Sequence, residues 1–227
     1  MRSYGQYCPI ARASEILAER WTPLILRNLL HGATTFTGIA QGAPGLSHSL
    51  LTKRLRDLEL AGVLEAAPNP AGRGSVYRPT AAGRDLAEVM AALGRWGERW
   101  IELAPEHLDP GMVLHAWVHW YLASDALPDQ RVVVRFDVRA WSGIGKALWI
   151  IFDGVRSEVC LTHPGYEEDL VVEADPRALA EWHLGRIEWR DALDDGRIAV
   201  AGPPALARRL PSWNRRSDAA RQRSSIG

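Results

Sequence analysis

Residues 47–79 restrict the fold of this chain more than any other segment. Ser47 suits the N-cap of a helix that extends to Ala61, and Gly62 suits its end. Leucines at helical spacing form the apolar stripe of that helix: Leu50, Leu51, Leu55 and Leu58. A strand beginning near Val63, a loop with the sequence PNPAGRG and a return strand over 75–79 predict a β-hairpin directly after it.

The rest of the first half supplies helices around this segment. We expect them at Ile10 to Ala18, Thr22 to about Gly32, Thr37 to Gln41 and Ala81 to Leu103. Thr22 is expected to cap the second helix, ahead of Pro23, and Thr80 to cap the last one. The resulting order is that of a winged helix-turn-helix.

The helix after Ser47 has a polar and basic outer face. Its expected DNA-contacting residues are Ser47, His48, Ser49, Thr52, Lys53 and Arg56, joined by Arg73 at the hairpin tip and Arg78 in the return strand. Such side chains hydrogen-bond to base edges and phosphates, and a helix of this width fits the major groove. A solvated helix face is the alternative for any one of these residues. The ordered set of elements favours an interface with double-stranded DNA.

Composition adds weaker constraints. The net charge is zero, but residues 1–104 carry 12 Lys or Arg against 9 Asp or Glu, a modest excess that suits a phosphate-facing surface. The apolar runs are too short to span a membrane, and the N-terminus lacks the apolar stretch of a signal peptide, so we expect a cytoplasmic protein without a membrane partner. No catalytic constellation appears, so we expect neither an enzyme nor a cofactor.

Four stretches resemble the HxlR-type regulators: CPIARASEILAERWTPLILRNLL, GLSHSLLTKRLRDLELAGVLE, VYRPTAAGRDL and GRWGERW. Together they cover roughly residues 6–103. The resemblance implies a winged-helix dimer that binds a pseudo-palindromic operator. The chain departs from the family pattern at Ser49, where Lys or Arg is usual, and at His48, where Pro is frequent.

The helix after the wing carries an apolar stripe that needs a partner. Leu93, Trp96 and Trp100 lie at helical spacing, and a second subunit or the C-terminal half could cover them. We favour the second subunit, hence a homodimer. Cys8 precedes the first helix, where the resembled family often has a redox-sensing cysteine. The alternative for Cys8 is a small buried residue at the dimer interface.

The second half predicts an α+β domain with a largely antiparallel sheet. Its helices and strands, including the segment DLVVEADPRALAEWHLGRIEWRDALDDGRIAVAGPPALARRL, resemble a sterol-carrier-protein-2-like domain over about residues 110–213. The resemblance implies an apolar cavity. We therefore divide the chain into a DNA-binding and dimerisation domain at 1–104, a ligand-binding domain at 105–213 and a flexible tail at 214–227.

Tryptophans in the second half suit such a cavity. Our candidates for contact with a small hydrophobic ligand are Trp117, Trp120, Trp149 and Trp182, with simple core packing as the alternative for each. His115 and His119 have a zinc-compatible spacing, but no third ligand is evident and no metal site is expected.

These features support a ligand-responsive repressor as the leading interpretation. A thiol or electrophile sensor acting through Cys8 and a carrier of hydrophobic molecules are the alternatives.

Overall fold

The structure is a computed structural model that describes residues 3–139 and 147–215. The chain divides into two compact units, Met1–Trp96 and Gly97–Gly227, which are described separately below.

The first unit is a winged helix-turn-helix. Its helices and strands are α1 (Pro9–Leu17), α2 (Thr22–Leu30), α3 (Phe36–Gln41), α4 (His48–Leu60), β1 (Leu64–Pro68), β2 (Ser75–Pro79) and α5 (Ala81–Trp100), the last of which extends beyond the unit boundary. Strands β1 and β2 form an antiparallel hairpin, and Tyr77 also donates its backbone N–H to Thr34 O at 2.8 Å. The core consists of apolar residues from α2, α3, α4 and β1.

Side-chain caps fix the ends of three of these helices. Ser47 Oγ accepts from the backbone N–H of Leu50 at 3.3 Å at the start of α4, as the sequence predicts. Thr80 Oγ1 accepts from Gly83 N at 3.2 Å at the start of α5. Thr35 caps α3, so this helix begins at Phe36, one residue earlier than expected.

The predicted Thr22 cap is wrong. Thr22 is buried and belongs to α2, and the N-cap position is Trp21, whose side chain makes no capping hydrogen bond. Trp21 has a φ of 78°, a left-handed conformation that a residue with a Cβ adopts only at a cost. Its indole packs against the core, and this burial offsets the strain.

Helix α5 approaches the hairpin closely at Gly83. A Cβ at this position would lie 2.1 Å from Val63 O, so only glycine fits without a backbone shift. The close approach allows Leu86 and Met90 to pack against the core of the unit.

The second unit is an α+β domain around a five-stranded mixed sheet. Its main elements are α6 (Pro110–Trp120), β3 (Val132–Val138), β4 (Leu148–Phe152), β5 (Glu158–Cys160), β6 (Leu170–Ala174), α7 (Pro176–His183), α8 (Trp189–Asp194), β7 (Ile198–Ala201) and α9 (Pro204–Arg209). The strand order is β5-β4-β3-β6-β7. Only the β3–β6 pair is parallel among these ladders, which agrees with a largely antiparallel sheet.

One face of this sheet holds the core. Phe136, Ile150 and Val172 lie on that face and pack with residues of α6, α7 and α8. Alternate positions such as Arg135 and Trp149, which are paired across β3 and β4, point to the opposite face.

The segment assigned to a flexible tail is ordered at its start. Asn214 is buried and forms a β-bridge with Leu122, and Arg215 donates its backbone N–H to Tyr121 O at 2.6 Å. The sequence predicts flexibility here because the segment is polar, and composition alone does not reveal that the side chain of Asn214 is buried. Residues 216–227 of the predicted tail lie outside the described residues.

Candidate nucleic-acid interface

The outer face of α4 carries every residue that the sequence assigns to it. Ser47, His48, Ser49, Thr52, Lys53 and Arg56 are all exposed. They lie opposite Leu51, Leu55 and Leu58, which are almost fully buried in the core of the unit. Burial of the leucine stripe therefore fixes which side of α4 faces outward.

Hydrogen bonds hold the polar side chains at the start of α4. Ser47 Oγ lies 3.3 Å from Ser49 Oγ, and Thr52 donates its hydroxyl to His48 O at 2.9 Å. The imidazole of His48 packs edge-on against Phe36 of α3, with ring centroids 5.4 Å apart. These contacts restrict the rotamers of the exposed polar side chains at the start of α4.

Arg54 is a structural residue that sequence reasoning did not single out. It is 7 % exposed, and its guanidinium donates to Glu19 Oε2 at 2.6 Å, Asp57 Oδ2 at 3.3 Å and Arg20 O at 3.2 Å. This arginine joins α4 to the segment between α1 and α2. Its place in the leucine stripe, between Leu51 and Leu58, was the available sequence clue.

The neighbouring cations Lys53 and Arg56 differ from Arg54 in their electrostatics. Neither forms an ion pair with another residue in the part of the chain that the structure describes. The exposed face of α4 therefore presents two positive charges that are not held in ion pairs, which favours contact with phosphates.

A second polar network braces the helix-turn-helix from inside. Asn28, which is 2 % exposed, donates Nδ2 to Ile39 O at 2.9 Å, and its Oδ1 accepts from Arg27 Nε at 3.2 Å. Arg27 also donates to Gly42 O. The network ties α2 to α3 and to the turn before α4, so it sets the position from which α4 projects.

The hairpin presents Arg73 at its tip. Asn69 N donates to Gly74 O at 3.0 Å and closes the loop, and Gly74 adopts a φ of 92° that favours glycine. Arg73 and Arg78 are both exposed, as the sequence predicts. Arg78 faces Glu65 across the ladder, so Arg73 provides the less compensated charge.

The apolar stripe on the C-terminal part of α5 is exposed in the single chain. Leu93 is 52 % exposed, Trp96 56 % and Trp100 63 %. Val89 and Ile101 extend the same surface. An apolar surface of this kind is costly in water and is typical of an interface with another protein.

The structure separates the tryptophans that the sequence groups into one ligand site. Trp117 and Trp182 are fully buried and pack together, with centroids 4.9 Å apart, and Trp182 continues to Trp189 at 4.6 Å. Trp149 lies on the opposite face of the sheet, because strand residues alternate, and donates Nε1 to Glu168 at 3.2 Å. Trp120 is half-buried and contacts His115.

Two buried indoles of this unit have unsatisfied donors. The Nε1 atoms of Trp182 and Trp213 are buried without a hydrogen-bond partner, whereas Trp117 donates Nε1 to Trp213 O at 3.0 Å. Buried polar groups are nearly always paired, so these two donors are exceptions within this unit.

The two histidines of α6 lie close together. The rings of His115 and His119 lie 4.3 Å apart, yet no group of three potential metal ligands occurs among the described residues.

Both cysteines are free and partly buried. Burial, with the nearby charge of Glu158, raises the pKa of Cys160. Within residues 3–139 and 147–215, every helix is too short or too polar to span a bilayer.

The first part of the chain is similar in sequence to known proteins. Residues 16–105 match the family of HxlR-like helix-turn-helix proteins. YvaP of Bacillus subtilis, an uncharacterized HTH-type transcriptional regulator, is 35 % identical over 107 residues, which cover 46 % of this chain and 97 % of YvaP. The HTH-type transcriptional regulator YodB of the same organism is 30 % identical over 97 residues, covering 42 % of this chain and 87 % of YodB.

A solved structure gives a corresponding match. The reduced form of YodB from B. subtilis is 27 % identical and covers 43 % of this chain and 97 % of YodB, with a TM-score of 0.37.

Proposed function

We propose, from the premise that the chain belongs to the HxlR-like family of helix-turn-helix transcriptional regulators, that it is a homodimeric repressor of a pseudo-palindromic DNA site. The observation that carries the proposal is the outer face of α4. There Lys53 and Arg56 are exposed and form no ion pair with another described residue.

Helix α4 would enter the major groove with its N-terminal turn leading. Backbone N–H groups at a helix N-terminus and the helix dipole both favour a nearby phosphate. Thr52 and Arg56 would then face base edges, and Arg73 at the hairpin tip would contact the phosphates or the minor groove alongside. Arg54 would make no DNA contact, since its guanidinium is committed to Glu19 and Asp57.

Dimerisation would proceed through α5. The stripe of Leu93, Trp96 and Trp100 is apolar and exposed, and a second copy of the same stripe is its natural complement in a two-fold interface. Two α4 helices related by this symmetry would contact half-sites about one helical turn apart.

Selection of binding sites from a random duplex pool tests this function. The full chain is expected to enrich an inverted repeat and to bind it as two subunits per duplex. Recovery of sequences without symmetry would contradict the dimeric mode, and the absence of any enriched sequence would contradict site-specific DNA binding.

The second unit would serve as the sensor, with a sterol-carrier-protein-2-like fold and an apolar ligand. The buried Nε1 donors of Trp182 and Trp213 favour this role, because a ligand with a polar end could accept hydrogen bonds from them within a largely apolar core. Ligand binding would change DNA affinity only if the ligand prefers one of two states of the dimer. A carrier that never regulates DNA would bind the ligand without changing operator affinity.

Response to electrophiles through Cys8 is a second candidate function. Cys8 occupies the N-cap position of α1 and is partly exposed, and a helix N-terminus stabilises a thiolate. Burial and the charge of Glu158 raise the pKa of Cys160, which disfavours the thiolate of that residue. If Cys8 is the sensor, Cys8→Ser removes release of DNA by diamide, whereas Cys160→Ser retains it.

A further inference from the structure

A polar groove opens at one end of the sheet of the second unit, outside the tryptophan-rich core. It has a volume of about 450 Å³ and lies where the parallel strands β3 and β6 begin, beside α9. Its lining includes Leu127, Asp129, Arg131, Asp169, Leu206 and Arg209. The volume is within the range of sites for small organic molecules.

The two arginines of the groove, Arg131 and Arg209, contact uncharged groups. The guanidinium of Arg131 stacks on the ring of Tyr166, 3.9 Å from its centroid, and Arg209 donates one N–H to Ala126 O at 3.1 Å. Neither arginine forms an ion pair within residues 3–139 and 147–215. Both side chains are therefore oriented while their charge and most of their N–H donors remain available.

The carboxylates of the groove limit the charge of a ligand. Asp169 Oδ2 accepts from the backbone N–H of Val133 at 2.8 Å and so has a structural role at the start of β6. Asp129 is exposed and adds a second negative charge. These two arginines and two aspartates carry no net positive charge, so the aspartates repel a phosphate with two charges more strongly than a ligand with one.

The apolar part of the lining continues into the core of the unit. Val132 belongs to the core, and Leu127 and Leu206 pack against it from the groove. An apolar group in the groove would thus cover surface that is already part of the main hydrophobic cluster.

We propose that this groove binds a small monocarboxylate with an apolar body, with the carboxylate on Arg131 and Arg209 and the body against Leu127 and Leu206. Guanidinium groups suit carboxylates because they can donate two parallel hydrogen bonds. The effect of such a ligand on DNA affinity rests on the proposed sensing function, whereas binding itself does not.

Calorimetric titration of the full chain without DNA tests the binding step. The probes are benzoate, 4-phenylbutyrate and octanoate, with their amides as neutral isosteres and phenyl phosphate as the dianion. We expect at least one carboxylate to bind about tenfold or more tightly than its amide and more tightly than phenyl phosphate, as a charge-assisted contact predicts.

Substitutions then locate the site. Arg131→Gln and Arg209→Gln are each expected to weaken carboxylate binding by about tenfold or more, whereas Arg208→Gln, which removes the same charge from a neighbouring exposed position outside the groove lining, leaves it unchanged. Arg131→Lys and circular dichroism of every variant separate lost binding from lost folding.

Three results would overturn the proposal. They are equal affinity for carboxylates and amides, unchanged binding in folded Arg131→Gln and Arg209→Gln, and an equal loss in Arg208→Gln. A chain that binds carboxylates but no DNA would contradict only the proposed regulatory function, and the reverse result would contradict only the groove.

Discussion

Arg54 and Arg56 lie two positions apart on α4, and this spacing places them on roughly opposite sides of the helix. Arg54 is buried and paired with the partly exposed Glu19 and Asp57, while Arg56 is exposed. The leucine stripe in the sequence distinguishes the two faces. The place of Arg54 in that stripe indicates a buried guanidinium, but its partner Glu19 was not predictable because it is far away along the chain.

Replacement of Arg54 by Leu is expected to destabilise the protein by about 1–3 kcal/mol, because it removes the hydrogen bonds of the buried guanidinium to Glu19, Asp57 and Arg20 O. Arg56→Leu removes a charge of the same kind from the exposed face and is expected to change stability by less than about 0.5 kcal/mol. Chemical unfolding followed by circular dichroism compares the two. Equal stability of both variants would show that the buried network contributes nothing.

His183 gives the second unit a defined dependence on pH. Burial lowers the pKa of His183 to about 4, and its Nδ1 lies 2.9 Å from Asn214 Nδ2, which donates to it when the imidazole is neutral. The folded state therefore favours the neutral ring. Stability is unaffected well above the unfolded pKa of about 6.5 and falls as the pH is lowered from there toward 4.

Between pH 7.5 and pH 5.0 this histidine is expected to remove about 2 kcal/mol from the free energy of unfolding. His183→Gln, which retains a polar side chain toward Asn214 without a titrating ring, should reduce that loss. Urea titrations at the two pH values measure it. His107→Gln, at an exposed position, serves as the control, and an unaltered pH dependence in His183→Gln would contradict the assignment.

At the scale of elements, the close approach of α5 to the hairpin depends on one missing side chain. Gly83→Ala would place a Cβ against Val63 O and is expected to cost about 1–3 kcal/mol, because backbone must move to accept it. Gly94→Ala lies in open space on the same helix and is expected to stabilise the chain by about 0.5–1 kcal/mol.

Thermal unfolding of the two glycine variants provides the comparison. A Gly83→Ala variant as stable as Gly94→Ala would mean that α5 can shift away from Val63 without loss.

Most elements of both units were predictable from periodicity and from caps such as Ser47 and Thr80. The failures have local causes. Thr22 resembles an N-cap in sequence but is buried, since the chain turns one residue earlier at Trp21. Trp149 was grouped with Trp117 by residue type, although alternation along β4 places it on the other face.

The groove of the second unit was not predictable from sequence. Arg131 and Arg209 are separated by most of the domain, and only the pairing of β3 with β6 and the position of α9 bring them to one site. By contrast, the outer face of α4 is contained in one helix, so the helical repeat alone defined its residues.

At the scale of the whole molecule, the exposed stripe on α5 predicts a dimer. Leu93→Asp should shift the chain toward monomer and weaken binding to a two-fold DNA site, because a charge would be buried in the interface. Leu193→Asp, at an exposed leucine on α8, is the matched control and should leave the mass in solution unchanged. Sedimentation equilibrium distinguishes these results, and a Leu93→Asp variant with the mass of the parent protein would exclude this interface.

The most direct test of the DNA-binding account measures affinity for a selected duplex across a salt series. The parent chain should bind more weakly as salt increases, and Arg56→Ala should reduce affinity by about tenfold or more. Arg190→Ala, which removes an exposed arginine from α8, should match the parent. A folded Arg56→Ala variant that binds the duplex as tightly as the parent at every salt concentration would contradict the assignment of α4 as the DNA-contacting helix.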